Sequence, residues 1–198
     1  IIGGGFAGLC CALNLKGKKV LLIEERKHIA RKHRGSQCSL YPFGESYDVQ
    51  GTDIHFQKNN VTVPGGVMGT LQHLEVESGG HRIISTPESP SILIDEGIVK
   101  GALEKACKES GVDIITGTKA KSIEFDSEYP SVFADKKYTA EYIVAADGSH
   151  SMVMRDVPLK RTKIGDFFEL EIEADTMDLP RESFYAEFQD ITTGLYAQ

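Results

Sequence analysis

Tryptophan is missing from this chain of 198 residues, and cysteine, proline and long apolar runs are scarce. Four cysteines, two of them adjacent at Cys10 and Cys11, form neither a disulfide framework nor the spacing of a metal site. No apolar run approaches the roughly 20 residues that cross a bilayer, and no signal peptide is expected ahead of the first strand. A reducing cytoplasm is therefore the expected compartment. Positive charge is short as well: 22 lysines and arginines face 29 acids, a net charge of −7. That balance argues against nucleic acid as a partner, since only RKHIARKHR, residues 26 to 34, is basic. What remains, 40% apolar and 26% charged residues, is the make-up of a globular protein of one domain or slightly more.

Glycine is plentiful, and it clusters first in IIGGGFAGLCCALNL, residues 1 to 15. Gly3, Gly5 and Gly8 fit G-x-G-x-x-G, a weak pattern until its surroundings are read. Ile1 and Ile2 read as the end of a strand. LCCALNLKG continues as a helix that Gly17 is expected to end, and Val20 to Ile23 is the apolar run of a strand in a parallel sheet. Glu24 follows, twenty-one positions after Gly3. A dinucleotide-binding βαβ unit places a carboxylate there for the adenosine ribose. In that reading Gly3 makes the tight turn, Gly5 lets backbone N–H groups reach a pyrophosphate, and Gly8 allows close helix–strand packing. The alternative is a glycine turn in an ordinary βαβ unit. Strand, helix and acid in register favour the dinucleotide.

From Ser39 to Ser91 turn residues separate short alternating runs, DIHFQ, VTV, LQHLEVE and HRIIS, which predict antiparallel strands. DEGIVKGALEKACKESG then predicts a helix with Ile98, Ala102, Leu103 and Ala106 on one face, ended by Gly111. KSIEF, SVFAD and KYTAEYIVAADG predict strands, the last running from Tyr142 to Ala146 into Asp147 and Gly148. Beyond Arg155 the pattern reads as antiparallel strands again, in DFFELEIEAD, ESFYAEFQD and GLYAQ. The expected fold is α/β, a Rossmann-like nucleotide domain of residues 1–38 and 92–160 interwoven with a β-rich domain of residues 39–91 and 161–198. A simple NAD-dependent domain would keep alternating strand and helix instead of inserting about fifty residues of meander. Both ends fall inside strand patterns, so the chain is expected to be a fragment of a longer one.

GGGFAG with Glu24, a later helix–strand unit, and ADGxxS at 146–151 together resemble the flavoprotein monooxygenase and geranylgeranyl reductase superfamily. Within it the chain is most similar to the geranylgeranyl reductase branch, through RKHRGSQC, the DEGIVKGALEKACKESG helix and the terminal DLPRESFYAEFQDITTGLYAQ. The resemblance implies FAD in the first domain, covered by a β-sheet substrate domain. It implies that Gly3, Gly5, Ala7 and Gly8 line the pyrophosphate and that Glu24 holds the ribose. It places Gly35 and Ser36 beside the flavin and ribityl, Ala120, at the end of the strand after Gly111, at the adenine, and Asp147 and Gly148 on the cofactor and nicotinamide side. Arg26 is the basic residue best placed for a cofactor contact. Several positions depart from the branch. Gly35 stands where a cysteine is usual, the nearest being Cys38; Glu96 and Met154 stand where arginines are usual, with Arg155 next; and Gln198 stands where a tryptophan is usual.

The implied function is an FAD-dependent reductase in which the reduced flavin gives hydride to an isoprenoid double bond of a lipid or prenyl substrate. NAD(P)H or another reductant, such as an electron-donor protein, would supply the electrons, and the substrate could bring the protein to a membrane surface. The alternatives are an FAD monooxygenase and a non-catalytic flavin- or lipid-binding protein. No catalytic side chain is singled out, and no metal is expected. His150, between Ser149 and Ser151, reads as a solvent-facing turn rather than part of a nucleophilic triad. Cys38 reads as a packing residue. Lys27, Arg31, Lys32 and Arg34 read as a solvated face, and Tyr41, Phe43, Phe56 and Tyr196 as core.

Overall fold

A computed structural model describes residues 1–30, 38–40, 47–78, 81–85, 91–125, 128–157 and 183–188. Helix α1 (Phe6–Asn14) starts directly behind the glycines and buries Gly8, Leu9, Ala12 and Leu13. These positions lie on one helical stripe, which faces the core. The helix stops at Asn14; Gly17, with φ of 75°, turns the chain beyond it into β1 (Leu21–Ile23), where Leu22 and Ile23 are buried.

The strand-rich stretch then builds three small sheets. β2 (Cys38–Leu40) is followed by the antiparallel meander of β3 (Tyr47–Gln50), β4 (Asp53–Phe56) and β5 (Val61–Val63). In β5 Val61 and Val63 point inward and Thr62 outward, the period-two pattern of a sheet with one wet face. Phe56 packs at the edge of the core, edge-on to Tyr47. β6 (Val67–Leu71), β7 (His73–Ser78), β8 (His81–Ser85) and β9 (Ser91–Ile94) follow. β9 lies between β2 and β6, antiparallel to both, while β7 and β8 form a hairpin.

Helix α2 (Glu96–Glu109) is capped by Asp95, whose carboxylate accepts the Ile98 N–H at 2.9 Å. Of the expected face, Leu103 is buried and Ala102 and Ala106 pack against the core, but Ile98 is exposed; Glu96, Val99, Lys100 and Cys107 also turn inward. Apolar spacing alone misses part of this face because two of its members are charged. Glu96 and Lys100 satisfy each other at 2.9 Å, which lets both be buried. β10 (Asp113–Ile115) then pairs in parallel with β1.

β11 (Ser122–Glu124), β12 (Ser131–Phe133) and β13 (Lys137–Thr139) form an antiparallel sheet ahead of the short helix α3 (Val153–Asp156). The strand expected over Tyr142–Ala146 is reduced to one bridge at Ala145. Its partner Ile2 turns away at Gly3, and Tyr142 is 83% exposed. β14 (Ser183–Phe188) pairs with β7 in parallel, where an antiparallel arrangement was expected. Alternation of side chains marks a strand but carries no information about its direction.

One core cluster draws on α1, α2, β1, β4, β5 and β9, through residues that include Leu9, Leu22, Ile54, Val63, Ile92, Val99, Leu103 and Cys107. Burial pushes the Cys107 thiol up to about 11, so it stays protonated and packs, donating to the Leu9 carbonyl. A second cluster gathers Ile2, Ile23, Ala120, Ile123, Val132 and Val153.

Candidate cofactor site

Four segments leave the parallel layer, after Ile2, β1, β10 and Ala145. Ile2 sits between Ile23 and Ala145, with its N–H on the Val144 carbonyl at 2.9 Å and its own carbonyl accepting from Ala146 at 2.8 Å. The glycine turn starts there. Gly3 has φ of 102°, and a Cβ on it would run into the Ala146 carbonyl. Gly8 is buried against the Gly3 carbonyl, with no room for a Cβ. Gly5 is exposed and has nothing within 4 Å of the position a Cβ would take. Its backbone is extended, with φ of −73° and ψ of −176°, so the left-handed strain of this turn lies at Gly3.

Gly5 is also the N-cap of α1. Among the described residues no side chain caps this helix, and no acid stands in its first turn. The first N–H groups of a helix lack intrahelical partners, and the dipole leaves partial positive charge there. A bare N-terminus behind an open glycine is the arrangement that receives phosphate.

The second loop follows β1. Glu24 Oε2 accepts the Gly4 N–H at 2.6 Å, and Oε1 accepts the Arg26 N–H at 2.7 Å. The third follows β10: the Thr118 N–H bonds the Glu24 carbonyl and the Gly117 N–H the Arg26 carbonyl, both at 2.9 Å. Lys119 pairs with Glu25 at 2.9 Å, but both side chains are well exposed, so the pair contributes little. Ala120, expected at the end of the strand after Gly111, instead lies five residues beyond β10, buried in the connection to β11.

Opposite the glycine turn, Asp147 takes up three donors: the Ser151 hydroxyl at 2.7 Å, the Met152 N–H at 2.7 Å and the Val153 N–H at 3.2 Å. Gly148 has φ of 82°, a left-handed turn. Ser149 Oγ lies 3.2 Å from His150 Nδ1. Arg155 is held by the Lys121 carbonyl and by Asp156, whose carboxyl this contact keeps below the usual carboxylate range.

A cavity of about 620 Å³ lies between these loops. Of the residues expected to contact a cofactor, Gly3, Gly5, Glu24, Arg26, Ala120, Asp147 and Gly148 line it. Ala7 and Gly8 do not: Ala7 is exposed on α1, and Gly8 is buried behind the turn. Gly35 and Ser36 lie outside the described residues, as do Tyr41, Phe43 and Tyr196. Glu25, Thr118, Lys119, Ser149, His150 and Met152 line the cavity without having been expected there. Their common property is position, directly after segments of the parallel layer, where crevices of open α/β sheets form. His150 is exposed in its turn as expected, and it also faces the cavity. Glu96 is buried with Lys100, whose ammonium lies 6.0 Å from the centre of the Phe6 ring. Among the described residues no group of histidine, cysteine or acid side chains could hold a metal ion.

The family model described as FAD binding domain matches residues 1–192. No curated protein sequence matches. Among solved structures, a geranylgeranyl bacteriochlorophyll reductase-like protein from Thermoplasma acidophilum superposes with a TM-score of 0.67 at 17% identity, over 95% of this chain and 48% of that one. The tetrameric 2-methyl-3-hydroxypyridine-5-carboxylic acid oxygenase gives 0.57 at 22% identity, over 80% and 41%. The halogenase PltM in complex with phloroglucinol and FAD gives 0.55 at 14%, over 78% and 35%. At these identities the likeness is one of fold. The chain spans less than half the length of each of these structures.

Proposed function

The chain belongs to the FAD binding domain family, and from that premise we propose that it forms the cofactor-holding part of an FAD-dependent oxidoreductase of the geranylgeranyl reductase type, acting on isoprenoid double bonds of a lipid or prenyl substrate. The observation that carries the cofactor half of this reading is the uncapped start of α1 behind the open Gly5, facing a cavity that Glu24 and Asp147 also line. The residues fit the group. The α1 N-terminus receives the diphosphate over the bare Cα of Gly5. Glu24 keeps lone pairs for the ribose hydroxyls beyond the two it gives to backbone. Ala120 and Thr118 supply the wall at the adenine, and the Asp147–Gly148 turn borders the ribityl side. Arg26 adds positive charge at the mouth. Bound FAD would supply the redox chemistry; the chain's own contribution is to hold it and exclude water.

The reductase assignment is supported by the extent of the likeness: the reductase-like fold follows 95% of the chain, the oxygenase fold 80%. The oxygenase and the halogenase among similar folds favour monooxygenation as the second reading. NAD(P)H or a donor protein is the proposed electron source. Among the described residues no helix is long and apolar enough to cross a membrane, so any membrane contact is proposed to run through the substrate. The test is made on the full-length protein. Heat release followed by chromatography is expected to yield FAD, and finding none after reconstitution would overturn the cofactor reading. Anaerobic reduction followed by a geranylgeranyl substrate is expected to reoxidise the flavin. Reoxidation that requires oxygen and an aromatic substrate would select the monooxygenase.

A further inference from the structure

We propose that Glu24 is a positioning residue for the diphosphate, acting through the peptide unit between Gly3 and Gly4 and independently of any ribose contact; this rests on the FAD reading above. The Gly4 N–H and the Gly3 carbonyl belong to one planar trans unit and point in opposite directions. The N–H end is held by Glu24 Oε2 at 2.6 Å. The carbonyl end is pressed against the bare Cα of Gly8, where a Cβ would collide with it. The plane is therefore gripped at both ends, and rotation about the neighbouring bonds of Gly3 and Gly4 is stopped. Gly5, the next residue, is left as the exposed tip in front of α1.

Gly4 is a free position in G-x-G-x-x-G, yet it is not free in this chain. It is buried, and a Cβ on it would lie 2.9 Å from Ile29 Cδ1 and 3.1 Å from Glu24 Oε2. Close approach of the carboxylate to this amide is what the glycine permits. The other oxygen of Glu24 holds the Arg26 N–H, so one side chain fixes both the glycine turn and the loop that carries Glu25 and Arg26. Two bonds to an anionic acceptor, each short, set this geometry with no ligand required.

The contact reading and the positioning reading differ in sign for a ligand that has phosphate and no ribose. If Glu24 served only the ribose, neutralising it would leave inorganic pyrophosphate bound equally or more tightly, because a negative charge near the anion is removed. If Glu24 fixes the turn, Glu24→Gln weakens pyrophosphate, and Glu24→Ala weakens it further, since Gln keeps one acceptor for the two amides. A loss of about tenfold for Ala corresponds to one charge-assisted hydrogen bond. The experiment uses cofactor-free full-length protein, with calorimetric titration of inorganic pyrophosphate and amide hydrogen exchange of Gly4. Gly4 exchange is expected to accelerate on the order of tenfold in Glu24→Ala while the Leu22 amide of β1 keeps its protection. Unchanged Gly4 exchange, or pyrophosphate binding that is absent in the wild type or strengthens in the variants, overturns the proposal. Wild-type protein that takes up no FAD overturns the functional reading instead, and the Gly4 exchange still decides whether the clamp exists.

Discussion

The two turns that face each other across the cavity are built in opposite ways. The glycine turn ends in a helix start that no side chain among the described residues caps, with Gly5 open in front of it. The Asp147 turn leads into a helix start whose N–H groups are already taken by a carboxylate. Both are glycine-containing turns directly behind the parallel layer. Only the first has free partial positive charge to offer, because Asp147 occupies at α3 the place that an incoming anion would take at α1. In the proposed FAD reading, this difference favours the glycine turn for the phosphates and a shaping role for the opposite turn.

The sharpest break in that comparison is expected from Gly8→Val. An isopropyl group there meets the Gly3 carbonyl and the Ala146 side chain, neither of which can yield without dismantling the parallel layer. Destabilisation of about 3 kcal/mol or more is expected, read from denaturant unfolding of the full-length protein. A midpoint equal to the wild type would show that the turn is looser than its packing implies.

Gly5→Val, three residues away, should separate binding from folding. Its extended backbone suits any residue and its surroundings are empty, so stability is expected to stay within about 0.5 kcal/mol of wild type. FAD content should nonetheless fall to a trace, because the isopropyl group fills the phosphate position. A stable variant that still carries a full complement of FAD would remove the phosphate from this turn.

On the opposite wall, Asp147→Ala leaves three donors without their acceptor, a loss of about 1–2 kcal/mol as for other helix caps. Asp147→Asn keeps one oxygen and should recover part of it. If Ala and Asn behave alike in thermal unfolding, the carboxylate is not acting as a cap.

The smallest effect concerns Asp156, which accepts from Arg155 and from the Ile123 N–H and ties α3 to β11. Its carboxyl is held below the usual range, mainly by the Arg155 hydrogen bond. The folded state therefore binds this proton less readily than the unfolded one. The stabilisation is complete above the unfolded value of about 3.9 and fades as pH falls through the lower folded one. Asp156→Asn should lower the unfolding midpoint slightly at neutral pH and leave it unchanged in strong acid. A difference that persists in acid would point to lost packing instead.

What the sequence disclosed and what it concealed follow from the range of each interaction. Gly3, Gly5 and Glu24 were legible because a turn, a helix start and the next strand's end lie within one short βαβ unit, where spacing is geometry. Gly4 was not, because its constraint comes from Ile29 and the Glu24 carboxylate, and nothing in the pattern marks a glycine packed on its amide side. The inward face of α2 was misread at Ile98 because a buried Glu96–Lys100 pair looks like two surface residues to any count of apolar spacing. The parallel pairing of β14 with β7 was concealed for a different reason: strand direction depends on the path of the chain between them. The cavity wall of Ser149 and His150 was placed in a turn correctly, but its neighbours across the cavity come from the chain's first residues.

That last distance has a consequence for assembly. Ile2 is hydrogen-bonded to Val144 and Ala146, so the glycine turn shares its framework with a segment synthesised far later. Closing so long a loop costs conformational entropy before its contacts repay it, and structures governed by such contacts form slowly. As the chain leaves the ribosome, α1 and β1 can take up local structure early, but the Ala146 carbonyl that backs Gly3 is then still unmade. The cavity beside the glycine turn is thus completed only when the Asp147 turn has emerged and docked beside Ile2.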